Sequence, residues 1–164
     1  MKLTLFLYLT VISLNLIGQT SDSLVVREVD SLIKVCKGLA SQQQFNQSLK
    51  IISSAEDLAI TKVGQESVSY GNCCMTHGTI LYFMGEYKEA VPWYLKAKII
   101  REKTLGKVHL DYARILNNLA LVYKNIGYYE KAEPLYLETF SIQEKLLGRE
   151  HPEFSYTLNN LATL

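Results

Sequence analysis

Proline, cysteine and any excess of one charge are all scarce in this chain of 164 residues. Three Pro and 9 Gly exclude a collagen-like fibre or a low-complexity linker. A hydrophobic share of 48% against 20% charged residues excludes a disordered tail. The three cysteines, two of them adjacent at Cys73-Cys74, are too few and too clustered to build a disulfide scaffold. With 17 Lys+Arg against 16 Asp+Glu, no net field attracts nucleic acid or an anionic membrane surface. Sequence patterns for chemistry are missing too. There is no GxSxG elbow, Walker-type loop or GxGxxG, and no HxxxH or CxxC pair. The chain is therefore expected to be no enzyme and to hold no cofactor and no metal.

What is present begins with an address. Met1-Lys2 is followed by an apolar run, Leu3 to Ile17, too short for the about 20 residues that span a bilayer. A basic start, an apolar core and the small Gly18 predict a secretory signal peptide over 1–18, cut so that Gln19 becomes the first residue. Removing Lys2 with it leaves 16 basic and 16 acidic residues. The mature chain is expected to be exported, to the periplasm, cell envelope or outside, and to have no membrane contact once the signal is gone.

The rest of the chain repeats itself. Leu105-Gly106 returns 42 residues on as Leu147-Gly148, His109 as His151, Asn117-Asn118 as Asn159-Asn160 and Leu119-Ala120 as Leu161-Ala162. In the other direction Gly127, Tyr129, Ala132, Pro134 and Tyr136 match Gly85, Tyr87, Ala90, Pro92 and Tyr94. Each unit reads as two helices. Leu116, Leu119, Ala120 and Tyr123 share one face at the i, i+3, i+4, i+7 spacing, and Ala132, Leu135, Tyr136, Thr139 and Phe140 share the next. A Gly-centred turn at Asn125–Tyr128 separates them. Pro92 and Pro134 are expected in the first turn of the second helices, and Gly106 and Gly148 as left-handed caps. The fold class predicted is all-α: a right-handed α-solenoid of antiparallel helix pairs.

These residues carry a resemblance. Leu119-Ala120-x-x-Tyr123, Gly127-x-Tyr129-x-x-Ala132 and Tyr136-x-x-Thr139 resemble the tetratricopeptide repeat. LNNLALVY at 116–123, AEPLY at 132–136 and LGREHP at 147–152 make the unit similar to the 42-residue repeats of kinesin light chains. The same unit occurs in many bacterial tetratricopeptide proteins, including some joined to CHAT-type caspase-like peptidases. The array is read as a lead-in over 19–31, a degenerate unit at 32–66, units at 67–108 and 109–150, and a partial unit at 151–164. Unit one has Gln43 where the turn Gly belongs and Ser48 in place of the small Ala. The last helix presents Leu158, Leu161 and Ala162, so the chain reads as the N-terminal part of a longer solenoid or as a truncated gene product, and alone it is expected to self-associate through this exposed helix.

First helices line the inner face of such a stack. Opposite the packed stripe lie Arg114, Asn117, Leu121, Lys124 and Asn125. Their counterparts are Asn72, Met75, Thr79, Tyr82 and Phe83 in unit two, and Tyr156, Asn159 and Thr163 in unit four. The kinesin light chain resemblance implies that inner-face Asn residues hold an extended peptide by its backbone, since an amide donates and accepts together. Asn117 and Asn159 read alternatively as ties between repeats, and Asn118 and Asn160 are read as such ties. Arg114 and Lys124 suit a peptide of acidic character. His109 and His151 are expected to cap helices, His77 to be a satisfied core residue, and Cys36 to pack or to bridge Cys73 or Cys74. The functional expectation is a non-enzymatic protein- or peptide-binding scaffold. The alternative is the recruiting or sensor arm of a CHAT-type peptidase or membrane signalling kinase whose catalytic part lies beyond Leu164.

Overall fold

A computed structural model describes residues 2–164, with side chains from Asp22 onward. The leader expected over 1–18, with its cut after Gly18, lies outside the described side chains. Among the described residues there are seven helices and no strand: α1 (Lys2–Ser41), α2 (Phe45–Lys62), α3 (Val68–Phe83), α4 (Tyr87–Leu105), α5 (Leu110–Asn125), α6 (Tyr129–Leu147) and α7 (Pro152–Ala162). None of the described helices is long and apolar enough to cross a membrane.

The helices pack as hairpins, α1 with α2, α3 with α4 and α5 with α6, and each hairpin stacks on the next. The first helices α1, α3 and α5 touch one another in series, whereas the second helices make no comparable contact. First helices therefore line the tighter, inner side of the stack. Residues 22–31, from the lead-in expected over 19–31, belong to α1. Val25, Val29, Ile33 and Cys36 continue one helical stripe, and Val29, Ile33 and Cys36 are buried against Ile52, Ala55 and Ala59 of α2.

Three successive turns have one geometry. At each, the second residue after the helix takes a positive φ: 60° at Gln43, 81° at Gly85 and 81° at Gly127. The amide of the following residue reaches back to a carbonyl five residues earlier, Gln44 to Leu39, Glu86 to Leu81 and Tyr128 to Tyr123. This is the Schellman closure, and it satisfies carbonyls that the helix end leaves open. It also feeds the chain straight into the second helix, which therefore starts early. Pro92 and Pro134 consequently sit in the second turn of α4 and α6, one turn deeper than expected. Both prolines are exposed, as are Lys88 and Glu130, whose carbonyls lose their intrahelical donors and can face water.

The connections between units differ. Gly106 and Gly148 have φ of 78° with ψ of 170° and 168°. That is an extended mirror-image conformation rather than the left-handed cap expected, and it is essentially restricted to glycine. It carries the chain off the helix toward the next cap, His109 or His151. There Nδ1 accepts the amide hydrogen of Asp111 at 3.1 Å and of Glu153 at 3.2 Å. Both histidines thus cap helices as expected, with Nδ1 as the accepting nitrogen.

The degenerate first unit closes by a local exchange. Ser48 Oγ donates to the Cys36 carbonyl at 2.9 Å, and Cys36 Sγ donates to the Ser48 carbonyl at 3.4 Å. A hydroxyl at the small-residue position is thereby satisfied without water. Cys36, Cys73 and Cys74 are buried and free, so the disulfide considered for Cys36 is not formed. Units one and two are joined by His77, whose Nδ1 lies 2.7 Å from Glu56 Oε1 and whose ring stacks on Trp93 at 3.9 Å. It is the satisfied core histidine that its position suggests.

Candidate functional site

The inner helices contribute a cleft of 260 Å³ lined by Thr79, Tyr82 and Phe83 of α3, Asn118 and Leu121 of α5, and Tyr156 of α7, with Tyr94 at its floor. Helical geometry explains the set. Thr79 and Tyr82 are three apart, as are Asn118 and Leu121, so each pair faces one way. Phe83 is 62% exposed and Tyr156 55% exposed, which is unusual for such large rings and leaves apolar surface open to a partner. Thr79 Oγ1 lies 3.0 Å from the Tyr94 hydroxyl, tying the floor to the wall. Burial pushes the Tyr94 hydroxyl up to about 12. Burial, with Tyr87 close by, raises the Tyr82 hydroxyl too. Both phenols therefore stay protonated and neutral.

Five expected residues, Thr79, Tyr82, Phe83, Leu121 and Tyr156, thus meet in one cleft. The others are placed differently. Asn117 is buried, and its Oδ1 accepts from Nδ2 of Asn160 at 3.3 Å. Of the two readings of Asn117, the geometry matches the tie: its amide links α5 to α7. Asn118, expected to be a tie, is the amide that lines the groove. Asn160 is the tie it was expected to be, and Asn159 is exposed. Asn72 turns its carbonyl oxygen to the buried Arg101 of α4, so that oxygen is not free for a peptide. Asn72, Met75 and Thr79 also border a second inner cleft of 190 Å³ facing Asp30, Ile33 and Lys37 of α1.

Arg114 and Lys124, expected to attract acidic groups, are engaged within the stack. Arg114 Nη2 donates to Glu153 Oε1 at 2.8 Å and Nη1 to Asp111 Oδ1 at 3.0 Å. Lys124 Nζ donates to Thr163 Oγ1 at 2.6 Å. Asn125 Nδ2 donates to the Leu121 carbonyl at 2.7 Å, closing its own helix end. No group of three or more His, Cys, Asp or Glu able to hold a metal occurs among the described residues. At the outer end, Leu161 packs against Ala120, Ala132 and Tyr136, while Leu158 stays 47% exposed.

A third cleft, of 210 Å³, lies beside the groove; the expected residues Arg114, Asn117 and Tyr156 border it, whereas Gln143, Glu153 and Thr157 were missed in the sequence. Gln143 and Thr157 are buried in it, with Glu153, Asn117 and Arg114 around them and Asn118 and Tyr156 shared with the groove. One signal existed. Gln143 stands 42 residues after Arg101, so the same register of two second helices holds a buried polar side chain.

The tetratricopeptide repeat family model matches residues 72–139. Among curated proteins, the Clustered mitochondria protein of Arabidopsis thaliana is 28% identical over 102 residues, covering 62% of this chain and 7% of that protein. Among solved structures, a Podosopora anserina chain of nearly identical TPR-like repeats, described as a kinesin light chain, superposes with a TM-score of 0.78 at 21% identity. That match covers 85% of this chain and 65% of the other. BtubC (BKLC) from P. vanneervenii gives 0.76 at 16% identity, over 82% and 54%. The TPR domain of Arabidopsis FLU gives 0.64 at 19%, over 73% and 97%. The chain thus spans a small part of the curated relative and somewhat over half of the first two structures. With seven helices stacked in hairpins and these neighbours, the fold is an all-α solenoid of tetratricopeptide-type repeats.

Proposed function

We propose that the chain is a non-catalytic scaffold that holds an extended segment of a partner protein along its inner face. The observation that carries this reading is the cleft shared by three successive inner helices, with exposed Phe83 and Tyr156 and the Asn118 amide on its walls. Its dimensions suit such a ligand. Packed helices stand about 8–10 Å apart, and an extended chain advances about 3.3 Å per residue. Every third residue of a bound strand would therefore meet the next inner helix. Apolar walls would take its side chains, and Thr79 and Asn118 its backbone groups.

Selecting peptides from a randomised display library on the whole chain, then titrating them calorimetrically, tests this. Leu121→Glu should abolish binding by placing a charge in the cleft. Leu137→Glu, on the exposed face of α6, should leave it unchanged. Equal effects of the two would contradict the reading.

The same reading takes the chain to be exported, on the strength of Lys2, the apolar run and Gly18. Mass spectrometry should find a mature N-terminus at Gln19. An intact Met1 in a soluble cytoplasmic fraction would overturn this part alone.

A further inference from the structure

The third cleft has the wrong chemistry for an acidic ligand. Three of its lining residues each carry an oxygen, Gln143 Oε1, Glu153 Oε2 and Thr157 Oγ1, that is buried without a protein hydrogen-bond partner. Gln143 is 3% exposed and Thr157 0%. Two of these oxygens can only accept, and the third can accept. Buried acceptors without donors cost stability, and three of them on residues lining one small cleft call for a donor. The local charge agrees. Arg114 sits at the rim but is shared between Asp111 and Glu153, which leaves one negative charge in excess.

We propose that this cleft receives the ammonium group of a lysine in the bound partner segment. The space, 210 Å³, is below the about 300–1,000 Å³ typical of whole small-molecule sites, and it fits a side-chain end. A compact ammonium offers three donors, as many as the lining residues have unpartnered oxygens. A guanidinium fits less well, because its paired donors want both oxygens of one carboxylate and Glu153 Oε1 is already taken by Arg114. Asn118 and Tyr156 border both spaces, so the lysine stands next to the residue seated in the apolar cleft. The inference rests on the groove reading and specifies its ligand as basic.

The test uses the whole chain and the same randomised library. Selected peptides should carry a lysine at a fixed distance from an apolar residue. Replacing that lysine by Nε-acetyl-lysine should weaken binding about tenfold or more, the size expected for losing hydrogen bonds to a charged group. Glu153→Gln should weaken the lysine peptide similarly and leave the acetylated one nearly unaffected. Thr157→Val, which removes the unpartnered hydroxyl at constant shape, should also weaken the lysine peptide without lowering the melting temperature; it serves should Glu153→Gln unfold. Peptides that bind the groove with no fixed lysine, or whose acetylation changes nothing, would overturn the inference and leave the groove reading standing. Failure to recover any groove-binding peptide would overturn both.

Discussion

Asn117 and Asn118 differ by a 100° rotation about α5, and that rotation separates a strut from a side chain lining the groove. Asn117 is buried against Asn160 while Asn118 lines the groove. Asn117→Ala should therefore lower stability by about 1–3 kcal/mol, because the Asn160 amide loses its acceptor in a buried place. Asn118→Ala should leave the melting temperature almost unchanged and weaken a bound peptide. Thermal unfolding and calorimetric titration of the two variants separate the roles. Spacing at 42 residues shows that both amides sit near the inner face, but the partner that claims one of them is on α7, and only packing reveals which. The thiols give a second residue-scale expectation. Burial, first of all, raises Cys73 to about 12 and Cys74 to about 11 from an ordinary 9.0. The folded chain holds these protons more tightly than the unfolded one. Their contribution to stability is thus complete below about pH 9 and declines as pH rises toward 11–12. Denaturation midpoints measured through this range should fall, and fall less in Cys73→Ala. At about pH 8 neither thiol should react with an alkylating reagent until the chain unfolds.

At the level of the element, the turns show what sequence pattern can and cannot supply. The Gly85 and Gly127 turns are legible from spacing alone, and the mismatch at Gln43 marks the first unit as irregular. The structure shows that the irregular turn keeps the same Schellman closure, with Gln43 held at φ 60°. A left-handed conformation costs a residue with a Cβ about 1–2 kcal/mol, and glycine loses about 0.5–1 kcal/mol in chain entropy. Gln43→Gly should therefore stabilise the chain by about 0.5–1 kcal/mol, read as a higher denaturant midpoint at unchanged slope. The same substitution at the exposed, helical Gln47 should destabilise instead. The deeper seats of Pro92 and Pro134 were not legible. Proline is favoured at a helix start, but the continuous turn begins each second helix before the proline arrives.

For the whole molecule, periodicity made the architecture readable and left the ligand largely unread. Helix order, inner versus outer helices and the core stripes follow from the 42-residue repeat, because each unit must bury the same faces. The groove walls Thr79, Tyr82, Leu121 and Tyr156 were readable for that reason. The cleft around Gln143, Glu153 and Thr157 was not, because it forms only where α6 and α7 converge, and its acidic balance depends on Arg114 being spent on Glu153 and Asp111. The most direct test of the inner-face claim is residue-resolved: amide chemical shifts of the isotope-labelled chain during titration with a library-selected peptide. Perturbations should concentrate at Thr79, Tyr82, Asn118, Leu121 and Tyr156, with the exposed residues Lys88, Leu95 and Leu137 of the second helices unmoved. Shifts concentrated on α4 and α6, with the inner helices silent, would contradict the account.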